Sequence, residues 1–277
     1  METIEEWWKT RMAKDIHNTL RARERQLPKY HAQSPQLHLR RYLVDWLAVI
    51  SDSGNLHLCS TALHLAVSLL DRFMDKFDIE ENQLHLVALT CLMIAAKFEE
   101  RDIKIPEISR LNKYVDNSYK WQDFLQMELL LLNFFSWNVC QPTASHYIEY
   151  YIQECISEND IHAGQPLRCP WKAKIYMEKY AHYFLEISLQ DHAFVFFHPS
   201  LISAACIAAS RICLLLSPSW TKKLIKFTKY SWDEIAPCID VMLKAHDSDE
   251  KACNRKTTPI VNHNGYNRGY AVRLPKS

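Results

Sequence analysis

The chain has 277 residues, enough for one large domain or two of ordinary size, and its 48% hydrophobic and 23% charged content is that of an ordinary globular protein. A formal net charge of +1 supplies no global field to attract nucleic acid or an anionic membrane. Of four glycines only Gly54 and Gly164 precede residue 260, which leaves out a phosphate-cradling loop, a dinucleotide fingerprint and a G-x-S-x-G elbow.

The N-terminal METIEEWWKTRMAKDIH is charged and has no apolar signal core, and no apolar run approaches the roughly 20 residues that span a bilayer, so no membrane partner is expected. Residues 1–35 read as an N-terminal helical extension, and an amphipathic helix follows over 36–51. Ser60 is the expected N-cap of a helix over 61–77, with Leu63, Ala66, Val67, Leu70, Phe73, Met74 and Phe77 on its apolar stripe. Asp71, Arg72, Asp75 and Lys76 are expected on its opposite, solvated face. The stretch 82–98 is apolar nearly all round, as a central helix should be. A short helix over 106–113, with Pro106 in its first turn, and another over 121–135 complete a five-helix unit assigned to 36–140.

Pro142 opens a second unit, assigned to 141–250, with helices expected near 143–157, 171–188, 199–216, 219–228 and 231–246. Within it ISAACIAASR (202–211) resembles ALTCLMIAAK (88–97): each is a run of small residues ending in a cation. The fold class is therefore all-α, two tandem five-helix units, followed by a polar, aperiodic tail over 251–277 expected to be disordered.

Nine scattered cysteines without a C-x-x-C pair read as reduced thiols of an intracellular protein of the nucleus or cytoplasm. The carboxylates Asp71, Asp75 and Asp78 lack a clustered metal-binding spacing, and His246-Asp247, expected to close the last helix, lacks an earlier histidine pair. No H-E-x-x-H and no nucleophile–base set stands out, so neither an enzyme nor a cofactor is expected. Basic stretches at 9–25 and 222–229 have no accompanying base-reading side chains and are read as solvated faces rather than nucleic-acid sites.

One stretch resists a purely structural reading. LVALTCLMIAAKFEE (86–100) runs apolar to Ala96 and then turns to Lys97, Phe98, Glu99 and Glu100. Glu128 is the sole charge in FLQMELLLLNFF, a run expected to face a core, and a buried lone carboxylate needs a partner. If the two helices are neighbours, Lys97 and Glu128 form either an internal bridge or a donor–acceptor set presented outward; the physics leaves both open.

RRYLVDWLAVI (40–50), DRFMDKF (71–77), AAKFEE (95–100), MELLLLNFFSWNV (127–139) and PTASHYIEYYI (142–152), in this order and spacing, resemble successive signatures of the cyclin box. YFLEIS (183–188) and PSLISAACIAASR (199–211) resemble the C-terminal cyclin fold, and SPQLHLRRY, SLQDHAF and YSWDEIAPCIDVMLKAHD are closest to one branch of the cyclin family. The resemblance implies two tandem cyclin folds and a regulatory subunit of a cyclin-dependent protein kinase, in cell-cycle control. It implies that Lys97 and Glu128 bind the kinase near its regulatory C-helix, with Phe98, Glu99, Glu100 and the aromatic Trp137 lining the same contact. It also implies a groove for substrate docking peptides over Leu39, Arg40, Tyr42, Leu43, Trp46, Val49 and His85.

That groove departs from the family pattern. Leu39, Leu43 and Trp46 keep an apolar floor, but Tyr42 replaces a small aliphatic residue, His85 a glutamine and Val49 the usual acid, so ordinary basic docking peptides are expected to bind weakly. The alternative class, a cyclin-fold DNA-binding or transcription module, calls for a zinc ribbon and a basic repeat interface that this sequence does not show.

Overall fold

The computed structural model describes residues 6–53 and 56–256, and among these are eleven α-helices. Helix α1 (Arg11–Glu24) precedes a first unit of α2 (Arg40–Asp52), α3 (Ser60–Met74), α4 (Leu84–Glu99), α5 (Ile108–Asn112) and α6 (Trp121–Phe134). A second unit holds α7 (Ser145–Ile152), α8 (Pro170–Gln190), α9 (Pro199–Cys213), α10 (Lys222–Thr228) and α11 (Trp232–Lys256). Each unit packs around one crowded helix. Every residue of α4 from Leu84 to Ala96 is buried except His85, and α9 is buried continuously from Ile202 to Arg211.

Small residues let neighbouring helices approach α9, and their hydroxyls are satisfied by backbone: Ser203 donates to Ala144 O at 2.5 Å and Ser210 to Cys206 O at 2.7 Å. The cation at its end is fully enclosed. Arg211 spans both oxygens of Asp160 at 2.7 and 2.8 Å and donates to the carbonyls of Cys155 and Pro218. This buried fork anchors a small antiparallel sheet of β1 (Ile161–His162), β2 (Gln165–Pro166) and β3 (Leu216–Ser217), in the order β2-β1-β3, which two-residue strands gave no periodicity to reveal.

The structure corrects several sequence expectations. Cys59, not Ser60, is the N-cap of α3, and the Glu100 carboxylate accepts its N–H from another helix end. Helix α3 stops at Met74, and Pro106 lies ahead of the α5 cap Glu107. Helices α7 and α9 end early, whereas α11 continues to Lys256, so His246 lies within it and meets the Tyr183 hydroxyl at 2.9 Å. Residues 251–256 of the expected tail are thus helical, and 257–277 lie outside the described residues.

Of the solvated face expected at the end of α3, Lys76 is exposed, but Asp71 and Asp75 are buried. Asp71 is buried against Arg40 of α2, with bonds of 2.6 and 2.8 Å, and the same guanidinium donates to the carbonyls of Leu189 and Gln190 at the end of α8. Asp75 accepts the N–H groups of His31 and Gln33, each at 3.0 Å. Burial works against its ionisation, but these bonds hold its carboxyl below the usual range. Arg72 donates to Pro28 O, and Asp78 accepts from Gln36. These charges tie the segment before α2, and the second unit, onto α3.

Helix α1 keeps Arg11, Lys14 and Arg23 exposed, and it and the turn before it dock through the other side. Trp8 donates to Glu154, His17 meets the Tyr151 hydroxyl, and Ser200 gives its N–H and hydroxyl to the buried Glu24. Among the described residues no group of three or more His, Cys, Asp or Glu side chains is placed to hold a metal ion, and no helix is long and apolar enough to cross a membrane.

Two predictions arise from burial alone. Cys91 and Cys206, at the centres of α4 and α9, are completely buried, which pushes both thiols well above their ordinary range, whereas Cys169 is exposed. Iodoacetamide should modify Cys169 within minutes and leave Cys91 and Cys206 unmodified until the chain unfolds; peptide mass mapping checks it. His64 is enclosed in α3 with Nε2 unpartnered among the described residues, and burial lowers it from 6.5 to about 3; burial lowers His17 to about 4. Below pH 6.5 the unfolded chain takes up protons that the folded chain refuses, so stability falls as pH drops from 6.5 toward 4. Denaturant midpoints at pH 5 and 7 should differ in that sense, and His64→Leu should shrink the difference.

Candidate functional site

Helices α4 and α6 lie side by side, and their contact edge is where the charged end of α4 emerges. Lys97 Nζ donates to Glu128 Oε1 at 2.7 Å, with the lysine side chain 45% exposed and the glutamate 15%. The comparison with α9 is informative. Both central helices end in a cation, but Arg211 is fully enclosed while Lys97 is held half in solvent. The α4 pair is a bridge within the chain whose lysine end faces solvent and whose glutamate is largely covered.

The apolar run of α6 does not all face a core, as the sequence had suggested. Phe124 and Leu131 are buried, but Leu129 and Leu130 are 53% and 49% exposed, and Leu125 and Trp121 are also uncovered. Phe98, one residue beyond Lys97, is exposed too. By helical spacing Trp121, Leu125 and Leu129 fall on the Glu128 side of α6, so the ion pair shares its side of the helix with uncovered apolar side chains, whereas Leu130 is turned about 200° away. Sequence reading missed Leu125, Leu129 and Leu130. The available signal was that four consecutive leucines cover more of a helix circumference than one neighbouring helix can bury.

Trp137 follows α6 on an unusual backbone. Ser136 and Trp137 both adopt left-handed conformations, φ 49° and 60°, with Trp137 N–H on Leu132 O at 2.7 Å and its indole N–H on Asn133 at 3.2 Å. Two consecutive non-glycine residues in this region are strained, and the effect is to aim a 63% exposed indole outward.

Glu99 and Glu100 behave differently from Phe98. Thr143 N–H donates to His146 Nδ1, which makes Nε2 the donor to Glu99 at 3.1 Å, and Glu100 accepts from Cys59 N–H with Lys104 3.8 Å away. Both carboxylates, expected to line the outward contact, are engaged by the chain itself. They fix the end of α4 to α7 and to the start of α3, and so orient Lys97 and Phe98.

The second candidate surface lies on α2 and the start of α4. Tyr42 and Val49 are exposed; Trp46 is half-buried with its ring edge-on to His85 at 4.7 Å, and the Tyr42 hydroxyl is 3.4 Å from His85 Nε2. Partial burial lowers the His85 pKa, so it is neutral at pH 7. Leu39 is half-buried and Leu43 is fully core, supporting the floor from beneath. Arg40, grouped with this groove from its place in the motif, is instead the buried partner of Asp71 and presents no charge to the surface.

Residues 15–140 match the model of the cyclin N-terminal domain, and residues 142–264 that of the cyclin C-terminal domain. The chain belongs to the cyclin family. Among curated cyclins, Cyclin-J of Xenopus laevis is 51% identical over 254 residues, which cover 90% of this chain and 66% of that protein. Cyclin-J of Homo sapiens is 48% identical, covering 92% of this chain and 67% of the relative, so this cyclin spans about two thirds of the length of the relatives it matches. It is this J branch that SPQLHLRRY, SLQDHAF and the α11 stretch resemble. A viral cyclin from herpesvirus saimiri shares the fold, with a TM-score of 0.65 at 18% identity over 83% of this chain and 97% of the viral one.

Proposed function

We propose that this cyclin binds and activates a cyclin-dependent serine/threonine kinase, in cell-cycle control in the nucleus or cytoplasm, through the face formed by the end of α4 and by α6. The observation that carries the reading is the Lys97–Glu128 pair, its lysine end open to solvent, with the uncovered Leu125 and Leu129 on the Glu128 side of α6 and the uncovered Phe98 next to Lys97 in the chain. A rigid ammonium and carboxylate can bond backbone groups of a partner helix, while the leucines and Trp137 supply area to exclude water from those bonds. The cyclin contributes shape rather than chemistry: its binding favours the active position of the kinase C-helix and activation loop. Affinity purification of the tagged chain should recover a protein kinase whose serine/threonine phosphorylation of added substrate depends on the cyclin. Recovery of DNA in a salt-dependent manner, without a kinase, would support the alternative cyclin-fold class instead.

The α2 groove supports a second, more limited proposal: it receives an aliphatic anchor but has little hold on a cation. Leu39, Tyr42 and Trp46 can seat a leucine, whereas the exposed Val49 offers no carboxylate to a basic residue. Arg40 is neutralised by Asp71, and of the exposed charges on this helix Arg41 opposes a cation while Asp45 offsets it, so the deficit is chiefly the missing carboxylate at Val49. An exposed ion pair contributes up to about 1 kcal/mol, so Val49→Glu should tighten a basic R-x-L peptide by roughly threefold to fivefold. Fluorescence titration at fixed ionic strength decides it; tight wild-type binding, or no gain from the substitution, contradicts this account.

A further inference from the structure

On the second unit, away from the α4–α6 face, an open groove of about 470 Å³ lies between the small sheet and the first turns of α8. Its walls are apolar: Pro166, Leu167, Ala173, Tyr176, Leu214 and Leu216, the last almost completely buried at the floor. Its polar border is one-signed. Arg168 and Lys172 line it together with His162, and no Asp or Glu does. Arg168 and Lys172 are both exposed, and neither makes an ion pair among the described residues. Unmatched cations beside a bare apolar hollow complement a ligand that brings both an apolar side chain and negative charge. The volume suits one or two side chains of a peptide rather than a folded domain.

We infer that this groove docks a short acidic peptide segment of a partner protein, with an aliphatic side chain in the hollow and a neighbouring carboxylate on Arg168 and Lys172. The site belongs to the second unit, so the segment and a kinase on the α4–α6 face can be held at once. It is also opposite in charge preference to a groove for basic peptides, so one cyclin can carry two recognition surfaces that do not compete. Cys169 lines the groove and is exposed, which supplies a built-in reporter.

The test uses the full chain and three fluorescent hexapeptide libraries, each with two fixed residues: glutamate and leucine, lysine and leucine, or glutamate and serine. The glutamate–leucine library should bind at least about tenfold more tightly than either other, and should slow iodoacetamide modification of Cys169 by a similar factor. Arg168→Glu combined with Lys172→Glu should abolish the preference for glutamate, and Ala173→Trp should remove binding by filling the hollow. Both cations are exposed, so the charge-reversed chain should retain its unfolding temperature and its kinase. Absence of binding by the glutamate–leucine library, equal binding of the lysine–leucine library, binding that survives charge reversal, or binding without protection of Cys169 would each overturn the inference.

Discussion

Lys97→Ala and Glu128→Ala are each expected to lower kinase co-purification more than tenfold while changing the free cyclin little. In the free chain the pair is 45% and 15% exposed, and such a pair contributes at most about 1 kcal/mol. For a chain of this size that corresponds to a shift of roughly 2–4 °C in unfolding temperature. In the proposed complex the same groups would be cut off from water. Truncating one member of a buried, hydrogen-bonded charge pair costs about 2–5 kcal/mol, because the other is left uncompensated. The two readouts should therefore diverge: near-native melting, and loss of the kinase. Leu129→Asp should have the same signature, since the exposed leucine contributes nothing to the core. Normal kinase recovery by both alanine variants would place the interface elsewhere.

Arg40→Ala should have the opposite signature, a large loss of stability. Its guanidinium satisfies both oxygens of Asp71 and the carbonyls of Leu189 and Gln190, so it joins α2, α3 and the end of α8. Removing it strands a carboxylate that is 4% exposed, at a cost of about 3–5 kcal/mol. The unfolding temperature should fall by roughly 10 °C. Replacing both partners, as in Arg40→Leu with Asp71→Leu, should recover a good part of that loss, because the double change removes the stranded charge together with the bond. Circular dichroism melts of the three variants test this. A shift below about 2 °C for Arg40→Ala, or a double variant no better than the single one, would show that the pair is not the junction described here.

What the sequence made legible follows from where the information sits. The central helices α4 and α9 were readable because crowding on every side leaves a compositional trace: continuous apolar residues in one, alanine, serine and cysteine in the other. Asp71 and Asp75 were misread because a helical wheel shows only the helix itself. The partners that bury them, Arg40 and the N–H groups of His31 and Gln33, lie 31 to 44 positions away in sequence. The same blindness affected α6. Its leucines were assigned to the core because hydrophobicity alone does not say which of four consecutive leucines the neighbouring helices can cover. Glu99 and Glu100 were grouped with Phe98 because the family resemblance implies it; the residues alone could not show that His146 and the Cys59 N–H, 47 and 41 positions away, engage them. The juxtaposition of Lys97 with Glu128 was the part of the site that charge reasoning could reach, because a solitary charge in each apolar run demanded a counterpart.

The most direct test of the central claim is amide hydrogen exchange of this cyclin alone and in complex with the kinase it recovers. Protection on binding should concentrate in the last turn of α4, around Lys97 and Phe98, and along α6 through Trp137, with α10 and α11 unchanged. Protection confined to the second unit, with the α4–α6 face exchanging as freely as in the isolated chain, would contradict it.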